Sequence, residues 1–211
     1  MLNAIYTKPI KTAYEEGFFH IHDLGMGNTV YCFGHDLREV LQEGYNGVIG
    51  KVSAKPPKHL RSALNQLVNY LFSTQGECAG AQAFSNFDTL LAPFIKEEEL
   101  TYKEVKQSIQ EFVYSMNVAN RVGFQAPFSN ITFDLKCPAT FKDQHPIINA
   151  EHMKFTYGEC NNEIGMVAKA FFEIMMEGDG DGKPFTFPIP TVNLHNEFVW
   201  DDDVAKTIFE A

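Results

Sequence analysis

Apolar residues return every three or four positions in several stretches of this chain, and each such stretch predicts an amphipathic helix. Leu60, Leu64, Leu67, Val68, Leu71 and Phe72 place one helix across about 58–75. Val105, Ile109, Phe112, Val113 and Met116 place a second behind Thr101-Tyr-Lys-Glu104, which has the spacing of a capping box. Ile164, Val167, Ala168, Phe171, Ile174 and Met175 place a third across about 160–177. Shorter helices are expected from Ile10 up to Gly17, from Leu37 to Glu43 with Asp36 as N-cap and Gly44 as terminator, and at the start of 201–211.

Strand-like alternation appears in three places. Over 29–33, Val30 and Cys32 share one face while Tyr31 and Phe33 share the other. Over 128–135, Ile131, Phe133 and Leu135 oppose Asn130, Thr132 and Asp134. A parallel strand covered on both sides is apolar on both faces, so this polar face predicts either a lined cavity or an exposed edge. Over 184–194, alternation continues through Pro188 and Pro190, which remove ladder donors. Residues 76–88 are rich in small side chains, which suit close backbone approach to a ligand or another chain, or tight packing against a neighbour. A polar excursion fills 136–158, and Gly178-Asp-Gly-Asp-Gly-Lys183 reads as a turn between helix and strand rather than a calcium loop, because Lys183 occupies the fifth position and no Glu stands at the twelfth. Strands interleaved with helices, and no internal repeat, predict an α/β fold in a single incomplete domain over 1–211.

Composition narrows the function. The 211 residues are 45% hydrophobic, enough for a substantial core, and carry 17 basic against 27 acidic side chains, a formal charge of −10. With no Lys/Arg cluster, binding to a nucleic-acid backbone is not expected, although backbone N–H groups can still hold a small anion. No run approaches the ~20 apolar residues of a membrane span, and no signal peptide opens the chain, so a soluble cytoplasmic protein without membrane contact is expected. Cys32, Cys78, Cys137 and Cys160 lie far apart without a CxxC pair, so they are expected as free thiols without zinc-finger spacing.

The chemistry concentrates in 17–37. His20, His22, Asp23, Cys32, His35 and Asp36 fall within this one glycine-broken segment. Two His two residues apart on a strand share a face, as metal ligands do, but a metal site needs further ligands. Of the later His, His59, His145 and His152 are expected in helix or loop, and only His195 ends a strand. Hydrogen-bonded His and substrate-contacting His therefore stand beside metal ligation as readings of His20 and His22. Cys32 alone reads as core filling, and the neighbouring His20, His22 and His35 raise the reading of a tuned thiol. Walker, GxGxxG and GxSxG motifs are absent.

Several phrases taken together resemble a known family. They are Gly17-Phe-Phe-His-Ile-His-Asp-Leu24, Tyr31-Cys-Phe-Gly-His-Asp-Leu37, Pro56-Pro-Lys-His-Leu60, Cys78-Ala-Gly-Ala-Gln-Ala-Phe-Ser-Asn-Phe-Asp-Thr-Leu-Leu-Ala-Pro-Phe94, Gln125-Ala-Pro-Phe-Ser-Asn-Ile-Thr-Phe-Asp134 and Pro184-Phe-Thr-Phe-Pro-Ile-Pro-Thr191. In that order, across roughly 15–202, they resemble the anaerobic (class III) ribonucleoside-triphosphate reductases. The resemblance implies a glycyl-radical enzyme reducing ribonucleoside triphosphates to deoxyribonucleotides. It also implies the first half of a ten-stranded α/β barrel built from two five-stranded halves. It matches Cys32 to a catalytic cysteine on the first barrel strand, opposite the radical across the ribose, and His20 and His22 to a motif near the nucleotide. The 44–75 region matches a segment serving the dimer interface and the effector nucleotides, dNTP or ATP.

The same resemblance sets what else is expected. No residue here matches the radical-bearing cysteine of the fingertip loop, the glycine that stores the radical, the regulatory cone or the four-cysteine zinc site. The expectation is therefore an N-terminal piece of a split or truncated reductase, inactive alone and binding no cofactor or metal itself. The glycyl radical, generated by an S-adenosylmethionine/iron–sulfur activating enzyme, and the zinc site would belong to a complementary C-terminal polypeptide. Substrate, effectors, that polypeptide, the activating enzyme and a second copy in a homodimer are the implied partners. Two alternatives remain: a non-catalytic nucleotide-binding or dimerisation module, and a metal-dependent hydrolase using His20 and His22.

Overall fold

A computed structural model describes residues 1–47, 49–120, 123–196 and 198–211. Their order is α1 (Lys8–Glu15), β1 (Phe33–His35), α2 (Leu37–Glu43), α3 (Leu60–Thr74), β2 (Gln82–Phe84), α4 (Phe87–Glu98), α5 (Tyr102–Met116), β3 (Ser129–Phe133), β4 (Ile147–Ile148), β5 (Glu151–His152), α6 (Asn161–Glu177), β6 (Ile189–Val192) and α7 (Asp203–Glu210). Strands β1, β2, β3 and β6 pair in that order, all parallel. The described residues thus supply four parallel strands, against the five that the resemblance implies for a half-barrel. β4 and β5 form a separate antiparallel pair within the polar excursion.

The sheet has two unlike faces. On one, Gln82, Phe84, Ser129, Ile131 and Phe133 are buried beneath helices. Phe133 is the hub of that side, its ring centroid 5.9 Å from Phe87, 5.0 Å from Phe171 and 5.4 Å from Phe172. Leu60, Leu64, Leu67 and Leu71 of α3, Val105, Ile109, Phe112, Val113 and Met116 of α5, and Val167 and Phe171 of α6 complete the same core. On the other face, register places Gly34, Ala83, Asn130 and Ile189 in one row, with Thr132 beside Thr191 in the next. None of these six is buried, so this face of the sheet is open. The open face resolves the polar alternation of 128–135: Asn130 and Thr132 line it, and the Asn130 amide donates to the Ile189 carbonyl at 2.8 Å and to Thr191 Oγ1 at 3.0 Å.

Several expected boundaries move for physical reasons. Helix α1 begins at Lys8 rather than Ile10, because Pro9 sits in the first turn, where its missing N–H costs nothing. The strand expected over 29–33 becomes β1 at Phe33–His35, with only Val30 bridging to Cys78 further back. Cys32 consequently precedes the strand instead of lying within it. The small-residue stretch after α3 supplies β2, and α4 follows at once. Phe87 to Ile95 of α4 are buried without a break, Pro93 included, so no polar stripe marks this helix in the sequence. His152, expected in helix or loop, lies in β5. Helix α2, with the Asp36 side chain accepting the Arg38 N–H at 2.9 Å, matches its expected bounds.

Candidate functional site

Cys32 is held by hydrogen bonds made by its neighbours along the chain. Ala79 N–H donates to the Val30 carbonyl at 3.1 Å, Gly80 N–H to the Tyr31 carbonyl at 2.6 Å, and Phe33 N–H to the Ala81 carbonyl at 3.0 Å. These bonds zip 30–33 onto 78–81 and leave the thiol exposed at the N-terminal end of the sheet. Cys32 lies two residues before Gly34, the first residue of the open row, and its thiol is exposed.

His20 and His22 are both exposed, their ring centroids 5.8 Å apart. His22 Nε2 lies 3.4 Å from Asp23 Oδ2, and the His22 ring stands 6.4 Å from the Tyr31 ring. The segment from His20 to Asp23 thus meets the residue adjoining Cys32. Loss of hydration, followed by the Asp23 carboxylate, pushes the Tyr31 phenol above its ordinary value. His35 is different. It turns to the helix side, where Gln82 Oε1 sits 3.1 Å from Nε2 and the Tyr70 hydroxyl 3.1 Å from Nδ1. Gln82 is oriented by donating its amide to the Leu71 carbonyl at 3.0 Å, so His35 carries its proton on Nε2 and accepts from Tyr70 on Nδ1. Burial lowers the His35 pKa, which makes this His a neutral core link between β1 and α3 rather than a companion of Cys32.

Three cavities lie apart from Cys32, His20 and His22, none of which lines them. One of about 720 Å³ is lined by Asp36, Glu39, Glu43 and Asp143, whose charge repels a triphosphate, against Arg38 alone among the arginines and lysines. A second, of about 570 Å³, lies at the C-terminal ends of β3 and β6 among Asp134, Lys136, Cys137, Lys142, Asn193 and His195. A third, of about 400 Å³, runs between α3 and α5 beside the ion pair that Arg61 makes with Glu111 through Nε at 2.7 Å. Among the described residues no three His, Cys, Asp or Glu side chains group closely enough to hold a metal ion, and none joins His20 and His22 as a further ligand. No helix among them is long and apolar enough to cross a membrane.

Two features escaped the sequence reading. The ladder from 78–81 that carries Cys32 was hidden because Ala79, Gly80 and Ala81 have no apolar period. A buried carboxylate pair, Asp88 and Asp134, joins α4 to the end of β3; Asp134 was visible only as one polar position among three, and Asp88 gave no signal.

The described residues thus form a parallel α/β sheet roofed by helices on one side and open on the other, with an exposed thiol just before its first strand. The whole chain, residues 1–211, matches the family described as anaerobic ribonucleoside-triphosphate reductase, and it belongs to that family. The enterobacteria phage T4 anaerobic ribonucleoside-triphosphate reductase is 24% identical over 148 residues, spanning 59% of this chain and 24% of the phage protein. The anaerobic ribonucleotide reductase of Thermotoga maritima, solved in complex with dATP and CTP, shares the fold with a TM-score of 0.71 at 21% identity, over 87% of this chain and 32% of that one. The same enzyme solved with glycerol in the active site gives 0.70 at 21% identity, over 99% of this chain and 36% of that one. The chain thus spans about a third of the length of these relatives or less, and its fold corresponds to that part of their glycyl-radical-type α/β barrel.

Proposed function

We propose that this chain forms the substrate-facing first strands of an anaerobic ribonucleotide reductase, with Cys32 donating hydrogen to the ribose of a ribonucleoside triphosphate. The observation that carries this reading is the exposed thiol at the end of an open sheet face, in a chain belonging to this family. Replacing a ribose C2′–OH by C2′–H consumes two electrons and two protons and releases water. The external reductant supplies both electrons, formate leaving as carbon dioxide or a thiol protein as its disulfide, and Cys32 relays one hydrogen to the ribose and is returned to the thiol. His20 and His22 are assigned to nucleotide positioning, since two adjacent imidazoles offer N–H donors to phosphate or base.

The radical that starts the reaction is assigned to a glycine outside these 211 residues, generated by the activating enzyme and carried by a complementary C-terminal polypeptide. One solved relative is a complex with dATP and CTP. By that likeness, a ribonucleoside triphosphate is the proposed substrate and a deoxynucleotide the proposed effector, the latter at the 44–75 region in a homodimer. The test is reconstitution with the C-terminal polypeptide and the activating enzyme, using CTP. Wild type forms dCTP, Cys32→Ser forms none, and the 211-residue chain alone forms none. Full turnover by Cys32→Ser would move the reductant role to another residue.

A further inference from the structure

The ladder beneath Cys32 contains an irregularity. Val30 pairs with Cys78, whereas Phe33 pairs with Gln82. Between those pairs lie two residues on the first strand, Tyr31 and Cys32, and three on the second, Ala79, Gly80 and Ala81. One extra residue on one side of a ladder is a β-bulge, a device that redirects a side chain and breaks regular pairing. The hydrogen bonds fit, because the adjacent Val30 and Tyr31 carbonyls both accept, from Ala79 and Gly80.

Gly80 stands in the middle of this bulge, and its missing side chain leaves room that something else fills. A Cβ built on Gly80 would lie 2.7 Å from Cys32 Sγ and 2.9 Å from the Tyr31 carbonyl oxygen. Real Cβ atoms do not come so close, so any side chain at this position displaces the thiol, the Tyr31 backbone or both. Below, the Cys78 thiol donates to the Gly80 carbonyl at 3.3 Å, and Cys78 is 1% exposed. The bulge is therefore anchored in the interior on one side and contacts the thiol on the other. Glycine within a strand often marks such a close approach.

We propose that Gly80, as the centre of a one-residue bulge, is a positioning residue for the Cys32 thiol, holding Sγ against the backbone just before the open row of the sheet. This rests on the reading of Cys32 as the hydrogen donor to ribose, and deepens it. Gly80 touches no reacting atom of the substrate in this scheme. It acts through the place it leaves for sulfur.

The contact with Sγ and the role in turnover are tested separately. In the full 211-residue chain, Gly80→Ala, Cys32→Ala and the double variant are compared by thermal unfolding, with alkylation of Cys32 by iodoacetamide followed by peptide mass spectrometry. Gly80→Ala is expected to lower the melting temperature less when Cys32 is already Ala, because the sulfur it collides with is gone. It is also expected to change the Cys32 alkylation rate while leaving that of Cys137 unchanged. Should Gly80→Ala fail to fold while the double variant folds, the same contact is demonstrated. Equal destabilisation in both backgrounds with unchanged Cys32 alkylation, or unfolding of both variants, would overturn the proposal. In the reconstituted reductase, Gly80→Ala is expected to lower kcat about 100-fold, the scale set by a 1 Å misplacement, with KM for CTP unchanged. An unchanged kcat would overturn the positioning role even with the contact demonstrated. Turnover retained by Cys32→Ser would instead remove the reading of Cys32, leaving the thermal and alkylation results to stand as geometry.

Discussion

Asp88 is fully buried at the start of α4, and its carboxylate accepts N–H bonds from Thr89 at 2.9 Å, Asp134 at 2.9 Å and Leu135 at 2.8 Å. Asp134, beside it, accepts from Asn86 at 2.8 Å, Thr89 Oγ1 at 2.7 Å and Asn193 at 2.8 Å. The pair thus ties α4, β3 and the end of β6 together. Burial pushes the Asp88 pKa up from 3.8 to about 7, with the Asp134 charge adding to the rise and the backbone N–H bonds opposing it. A carboxyl whose folded pKa is raised binds more protons in the native state than in the unfolded chain between those two values. Its contribution is therefore fully present below about pH 4, declines as pH rises through about 7, and is level above. Urea denaturation between pH 5 and about 8 is expected to show wild type losing stability relative to Asp88→Asn, which cannot titrate. A pH-independent difference between the two would mean that Asp88 is ionised throughout.

At the scale of elements, β3 is the strand on which the layers depend, because it is central in the sheet and carries Phe133. That ring contacts Phe87 of α4 and both Phe171 and Phe172 of α6. Phe133→Ala removes the shared partner of two helices, and a loss of about 3–5 kcal/mol is expected from chemical denaturation. Ile189, on the open face of the adjoining β6, is 41% exposed. Ile189→Ala is expected to cost well under about 1 kcal/mol in the same measurement, since an exposed position loses little burial. The buried half of this arrangement was legible beforehand. The stripes of α3, α5 and α6 and the Ile131 and Phe133 side of β3 follow from period alone, because each of these elements has one wet and one dry side. Helix α4 was hidden for the opposite reason, being buried all round. β2 is too short, and too poor in branched or aromatic residues, to stand out as a strand.

For the whole molecule, the open face and the two sheet edges, β1 and β6, matter most. Parallel sheets are normally covered on both faces, and an edge strand presents unpaired backbone groups as a template for further pairing. The solved relatives are about three times longer over the same fold, this chain covering 32% of one of them. The chain is expected to co-elute in size-exclusion chromatography with a polypeptide carrying the C-terminal part of a reductase. The exposed Cys32 is expected to become protected from alkylation in that complex, as the open face is enclosed. Co-elution without protection would indicate pairing at an edge that leaves the face open.

By itself the sequence determined the α/β class, the principal helices and the family, because amphipathic period, caps and ordered motifs are local properties, and it singled out the segment from His20 to Cys32 only as a candidate. The tertiary structure decided which residues of that segment belong together. It turned the half-buried His35 toward Gln82 and Tyr70, a choice made by the pairing of β1 with β2 rather than by any neighbour in sequence, and left His20, His22 and Cys32 exposed. It also decided the bulge at Gly80, since an extra residue in a ladder exists only relative to the strand opposite. The space filled by the Cys32 sulfur is set by two segments almost fifty residues apart, and only their pairing brings it into being.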